Sequence, residues 1–275
     1  MQTHAKGVEA IATSARFGVD AKTIAALPDL KVISSFGVGL DTLDLEAAKQ
    51  RGIPVGYTPD VLNDCVADTA FALLLDVSRR ITEADRAVRQ GAWKKGQFTA
   101  ATRVTGKRLG ILGLGRIGNA IAKRASGFDM EVRYHNRKPA QGSPYTYVAS
   151  LKELAQWCDY LVIASAGGAE TKGLVSAEIL DAIGPKGYVI NISRGTVIDE
   201  AALVDALTHQ RIAGAGLDVF EREPHVPEAL FALDNVVLLP HIASNTHETR
   251  ADMAQRVEDN LAAFFAGKPL VSAAW

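Results

Sequence analysis

Three polar residues of this sequence have types that together could reduce a keto acid. Arg194 follows an apolar run in Asn191-Ile192-Ser193-Arg194-Gly195, and Glu223 lies in Asp218-Val219-Phe220-Glu221-Arg222-Glu223-Pro224. His241 follows the run NVVLLP, in Pro240-His241-Ile242-Ala243-Ser244. An arginine is always charged, so it can hold a carboxylate and stabilise charge on a polarised carbonyl. A histidine can give a proton near neutral pH, and a glutamate can hydrogen-bond the imidazole and fix its orientation. Each residue taken alone has an ordinary reading as a surface or packed side chain. Their shared placement beyond predicted strand ends, where open α/β sheets bind ligands, is what draws them together.

A second feature supplies the partner such chemistry needs. The apolar run Lys107 to Leu112 leads directly into Gly113-Leu114-Gly115-Arg116-Ile117-Gly118, and a helix continues through NAIAKRAS. A bare GxGxxG is a weak signal; between a strand and a helix it reads as a dinucleotide-binding turn. Gly113 permits the tight turn, Gly115 lets a pyrophosphate approach the backbone, and Gly118 lets helix and strand pack closely. The free N–H groups at the helix start, around Arg116 and Ile117, face the phosphates. About 20 residues past such a loop, a carboxylate would read the adenosine ribose of NAD. The window here is Val132-Arg133-Tyr134-His135-Asn136-Arg137-Lys138, without an acid. Arg137 can grip a 2′-phosphate and Lys138 adds charge, so NADP(H) is favoured over NAD(H). Asn136 can bond either cofactor. The alternative is that Arg137 and Lys138 are only solvated.

These residues need elements to position them. Strands are predicted at 8–13, 31–35 and 53–55, then at 108–112, 130–134, 160–164, 187–191, 212–217 and 236–239. Helices fall between them, with longer ones near 63–80 and 246–266. Alternating strands and helices at this spacing mean parallel sheets. Residues 82–104, polar and carrying Trp93, read as an irregular linker or an oligomer arm. The 275 residues suffice for two domains. Thirty Lys and Arg against 31 Asp and Glu leave a net charge of −1, which gives no reason to expect nucleic acid or an anionic membrane as partner. Cys65 and Cys158 have no disulfide or metal-ligand spacing, no His/Cys/Asp cluster implies a metal, and no leader is recognisable, so the cytoplasm is the expected location.

The whole sequence resembles the D-isomer-specific 2-hydroxyacid dehydrogenase family. The resemblance rests on GLGRIG (113–118), NISRGTVIDE (191–200), GAGLDVFEREP (214–224), LLPHIASNTHETRADM (238–253), FGVGLD (36–41) and the VADTAFALLL helix (66–75). It implies an α/β fold of two Rossmann-like parallel-sheet domains. The NAD(P)-binding domain, doubly wound, would span 82–245. A discontinuous substrate domain would comprise 1–64 and 266–275, with helices 65–81 and 246–265 crossing between. The family pattern has a strand and helix before Val8, about 40 residues, so this substrate-domain sheet is expected to lack its first strand and to expose an edge.

The resemblance also implies roles. Arg194 orients the substrate, Glu223 pairs with the histidine and His241 is the general acid/base. Val38 and Gly39 receive the substrate carboxylate through backbone N–H groups. Ile192, Ser193, Arg194, Asp218 and His241 border the nicotinamide, with Asp218 near its carboxamide. YHNRK (134–138) and ASAGGAET (164–171) point to the hydroxypyruvate and glyoxylate reductase branch, including the hydroxyphenylpyruvate type. The expected reaction is reduction of a small 2-keto acid to the D-2-hydroxy acid with NADPH, in a homodimer that uses the region of Trp93. A bulkier keto acid, or an NADP(H)-binding sensor or corepressor with little turnover, are the alternatives. Arg16, in the loop Ser14–Gly18, either meets a second polar group of the substrate or is simply exposed.

Overall fold

The computed structural model describes residues 6–275; residues 1–5 of the expected substrate domain lie outside them. The chain divides into two compact units, one formed by residues up to Asn63 together with Ser244–Trp275, the other by Asp64–Ala243.

The first unit contains β1 (Ala10–Ser14), α1 (Ala21–Ala26), β2 (Val32–Phe36), α2 (Leu45–Gln50) and β3 (Val55–Gly56). The strands pair in parallel in the order β1-β2-β3, so β1 and β3 are the outer strands among the described residues. Asp20 and Asp44 start α1 and α2 by accepting the N–H groups of Thr23 and Ala47, as N-caps do. Ile24, Leu30, Ile33, Ala48, Ile53 and Val55 form the core.

The second unit begins with α3 (Asn63–Arg79, of which Asn63 closes the first unit) and α4 (Ile81–Arg89). Its sheet follows as β4 (Arg108–Leu112), α5 (Arg116–Ala125), β5 (Glu131–His135), β6 (Thr146–Tyr147), α6 (Leu151–Trp157) and β7 (Tyr160–Ile163). It continues with α7 (Ala177–Ile183), β8 (Tyr188–Asn191), α8 (Glu200–Thr208), β9 (Gly214–Leu217) and β10 (Val236–Leu238). The seven strands are all parallel, in the order β10-β9-β8-β7-β4-β5-β6. Both β7 and β8 are buried at every residue, the continuous apolar pattern of strands covered on two faces. The direction of winding reverses between β4 and β7, which creates a crevice beyond their carboxyl ends.

The last helix, α9 (His247–Phe265), belongs to the first unit. Its fully buried Asn260 donates to the Tyr57 carbonyl and accepts the Ser272 N–H, which ties the C-terminal tail to the segment after β3. Helix α3 lies with the second unit, where Ser78 donates to the Tyr160 hydroxyl. Thus each long helix expected to cross between domains is grouped with one unit. Two differences from the expected elements concern small ones. The segment expected to be irregular from residue 82 begins with α4, and β6 adds two residues to the sheet. Helix α4 buries no residue, although Ile81, Ala84 and Val88 share one face.

Candidate active site

The turn after β4 is shaped by its glycines. Gly113 has φ +100, and a Cβ there would stand 2.5 Å from the Ser165 nitrogen beyond β7. A Cβ on Gly118 would stand 2.3 Å from the Gly113 carbonyl oxygen. Turn, helix and neighbouring strand are therefore as close as backbone allows. Gly115 is different: a Cβ there would meet nothing within 4 Å. It faces an open groove of ≈ 740 Å³ lined by Leu112–Gly115, His135–Lys138 and the loop from Ala164 to Thr171. Gly115 caps α5 without any side-chain hydrogen bond, and a helix start of this kind, here Arg116 and Ile117, suits an anion. The Ser165 hydroxyl, on the same groove, is buried without a hydrogen-bond partner. A bare glycine cradle, a helix N-terminus and an orphaned hydroxyl together fit the diphosphate of a dinucleotide.

Just past β5, Asn136 ties that strand to the turn, its Oδ1 accepting the Leu114 N–H at 2.7 Å. Arg137 and Lys138 line the groove. Arg137 is not a lone cation, however. Its guanidinium forms an ion pair with Glu170, a residue the sequence reading did not assign to the site. Glu170 sits in ASAGGAET, and an acid seven residues past the end of a neighbouring strand was the signal available.

The other groups converge from three strand ends of the same unit. Arg194 follows β8. Asn191 Nδ2 donates to its carbonyl at 2.9 Å, while Asn191 Oδ1 accepts the N–H and hydroxyl of Ser193. Ile192 and Ser193 are buried beside it. A Cβ on Gly195 would stand 1.9 Å from the Phe220 carbonyl carbon, so the Arg194 loop presses against the loop that carries Glu223. Glu223 Oε2 lies 2.7 Å from His241 Nδ1, and Glu223 Oε1 accepts the Phe220 N–H. Burial, the largest single influence on the Glu223 carboxyl, pushes its pKa up. The hydrogen bond and charge of His241, the Phe220 N–H and the charge of Arg194 outweigh burial and hold it below the ordinary value.

His241 adopts φ +56, a left-handed conformation that a non-glycine residue keeps only when its surroundings impose it. Asp218 imposes it. Its carbonyl accepts the His241 N–H at 2.9 Å, and its carboxylate accepts the N–H groups of Ile242 and Ala243 at 2.7 and 2.9 Å. The resemblance placed Asp218 at the nicotinamide carboxamide; here it is 0% exposed and holds the histidine loop from behind. Burial raises its pKa, and the two N–H groups and His241 offset part of that rise. With Nδ1 held by Glu223, the imidazole Nε2 is left to act, and the ring is 44% exposed.

Val38 and Gly39 lie in the first unit, after β2. Gly37 is clamped on both sides by Thr58, its N–H donating to Thr58 Oγ1 and its carbonyl accepting the Thr58 N–H, each at 3.0 Å. No hydrogen bond among the described residues uses the N–H of Val38 or Gly39, so both remain available to an anion.

A strand-turn-helix dinucleotide cradle and an Arg–Glu–His cluster thus occupy the strand ends of one unit. The family model described as D-isomer specific 2-hydroxyacid dehydrogenase, NAD binding domain, matches residues 71–243. A hydroxyphenylpyruvate reductase from Plectranthus scutellarioides is 52% identical over 268 residues, covering 98% of this chain and 86% of the relative. The chain belongs to the D-isomer-specific 2-hydroxyacid dehydrogenase family. A glyoxylate/hydroxypyruvate reductase A from Arabidopsis thaliana is 49% identical over 272 residues, covering 99% of this chain and 87% of the relative. The solved structure of an NADPH-dependent glyoxylate/hydroxypyruvate reductase from Sinorhizobium meliloti, in complex with NADP and malonate, superposes with a TM-score of 0.93. It is 43% identical, with 99% of this chain and 85% of that chain covered. Membership makes the protein an oxidoreductase of the family's reductase branch with a nicotinamide-dinucleotide-binding unit. No helix among the described residues is long and apolar enough to cross a membrane, and no group of three or more His, Cys, Asp or Glu among them could hold a metal.

Proposed function

We propose that the protein reduces a small 2-keto acid, hydroxypyruvate or glyoxylate, to the D-2-hydroxy acid with NADPH. The observation that carries this reading is the 2.7 Å His241–Glu223 hydrogen bond at the strand ends of a unit with a dinucleotide cradle. A bound nicotinamide supplies the hydride. His241 gives the proton to the keto oxygen from Nε2, and Glu223 holds the imidazole by Nδ1. Arg194 holds the carboxylate and stabilises charge developing on the oxygen. The N–H groups of Val38 and Gly39 take the substrate carboxylate. Gly113, Gly115, Arg116, Ile117 and Gly118 bind the pyrophosphate, while Asn136, Arg137 and Lys138 bind the adenosine end. Ile192, Ser193, Arg194, Asp218 and His241 border the nicotinamide, Asp218 by fixing the histidine loop.

The choice of NADPH is supported by the lack of an acid directly after β5 and by the NADP bound in the Sinorhizobium structure. The small-acid reading is supported by the Arabidopsis reductase. The names of the Plectranthus hydroxyphenylpyruvate reductase and of a Gluconobacter oxydans 2-ketogluconate reductase, 46% identical, keep a bulkier keto acid as the second reading. We assign 1–64 with 266–275 to the substrate domain, 82–245 to the NAD(P)-binding domain, and 65–81 and 246–265 to interdomain helices. A homodimer would cover Trp93, 68% exposed, with the exposed Ile81 and Val88. Cys65 and Cys158, which form no disulfide with each other, fit a reducing cytoplasm.

Initial rates with NADPH and NADH against glyoxylate, hydroxypyruvate, pyruvate and hydroxyphenylpyruvate test the proposal. Turnover of hydroxypyruvate or glyoxylate, faster with NADPH, is expected. Tight NADPH binding without turnover of any of them would overturn it.

A further inference from the structure

Among the described residues, Glu170 is the one acid on the wall of the groove, and it is paired with the cation expected to read the 2′-phosphate. The pair spans 33 residues of sequence and joins the segments that follow β5 and β7. Both side chains stand largely in water, Arg137 81% and Glu170 74% exposed. An exposed ion pair is weak, so a phosphate dianion can displace it. Neighbouring Lys138 has no carboxylate partner among the described residues, so it can meet the phosphate without giving up an ion pair. The loop that carries Glu170 holds its own shape: Thr171 donates from its hydroxyl to the Ala166 and Gly168 carbonyls and from its N–H to the Gly168 carbonyl.

We infer that Glu170 sets how strongly the protein discriminates between NADP(H) and NAD(H). Binding of the phosphorylated cofactor separates Arg137 from Glu170, and the phosphate then sits near the released carboxylate. Binding of the unphosphorylated cofactor leaves the pair intact, so Arg137 is never an uncompensated cation facing ribose hydroxyls. The pair therefore narrows the gap between the two affinities, and a single groove serves both cofactors with a moderate preference for NADP(H). This rests on the assignment of the 2′-phosphate to Arg137.

Dissociation constants for NADP+ and NAD+ measured calorimetrically on four proteins test it: wild type, Glu170→Gln, Arg137→Gln and the double variant. Glu170→Gln is expected to tighten NADP+ by about three- to tenfold and to leave NAD+ within about twofold, the scale of an exposed charge pair. In the Arg137→Gln background the same change is expected to have at most half that effect on a logarithmic scale, because no pair remains to be broken. Unchanged NADP+ affinity in Glu170→Gln, equal tightening of both cofactors, or a full effect without Arg137 would each overturn the inference. If Arg137→Gln alone leaves NADP+ affinity unchanged, the phosphate assignment itself fails and the inference fails with it. Loss in Arg137→Gln with no gain in Glu170→Gln overturns only the role of Glu170.

Discussion

Two regions of the nucleotide-binding unit are built in opposite ways. Around His241, every polar group is held by others. Asp218 is fully buried and accepts two backbone N–H groups, Glu223 accepts from His241 and Phe220, and Gly195 lets two loops touch backbone to backbone. At the adenosine end, the charged groups extend from loops into water and meet in one exposed ion pair. Chemistry needs reacting atoms fixed within fractions of an ångström. Cofactor choice needs only a balance of charge, which exposed side chains can set and evolution can retune.

The contrast predicts where substitutions will hurt. The largest effect is expected for Gly195→Ala, because the new Cβ would lie inside the Phe220 backbone. Two loops must separate, at a cost of about 3 kcal/mol or more, read in urea unfolding as a lowered midpoint with an unchanged slope. Asp218→Asn comes next. An amide can accept at only one of the two positions and turns its NH2 toward the other N–H, so the histidine loop shifts. The expected result is a fall in kcat of about ten- to a hundredfold, with NADPH binding retained in a fluorescence titration.

Glu223→Gln should lower kcat by about tenfold, because an amide orients the imidazole without matching its charge. It also has a pH signature. The Glu223 carboxyl sits below its ordinary pKa in the folded protein, so its stabilisation is present above the unfolded-state value and is lost as pH falls through the folded one. The stability gap between wild type and Glu223→Gln should therefore narrow as pH falls from above the ordinary glutamate value through the lowered folded one. A gap that widens in acid would contradict the assigned direction. The smallest effect belongs to the exposed end: Lys138→Ala should weaken NADP+ by about threefold, more at low salt than at high salt, and leave the unfolding midpoint where it was.

The same contrast explains what the sequence made legible. GLGRIG could be read because glycine spacing, an apolar strand and an amphipathic helix adjoin within one stretch of chain. Arg194, Glu223 and His241 could be read as chemistry, since each follows an apolar run, and the family resemblance supplied their proximity. The clamp made by Asp218 was not legible, because its partners lie 24 and 25 residues away on the next strand's loop. The Arg137–Glu170 pair was hidden for a similar reason: β5 and β7 both neighbour β4, and strand order is not written in local pattern. Helix α4 went unread because its short apolar stripe, Ile81, Ala84 and Val88, is set among charged and polar residues.

The central claim is that His241, held by Glu223, delivers the proton. Single-turnover oxidation of bound NADPH by glyoxylate in His241→Ala, with NADPH affinity measured in parallel, tests it most directly. The expected result is a rate lower by about a hundred- to ten-thousandfold with cofactor affinity within twofold of wild type. A rate close to that of wild type at the same cofactor occupancy would contradict the claim.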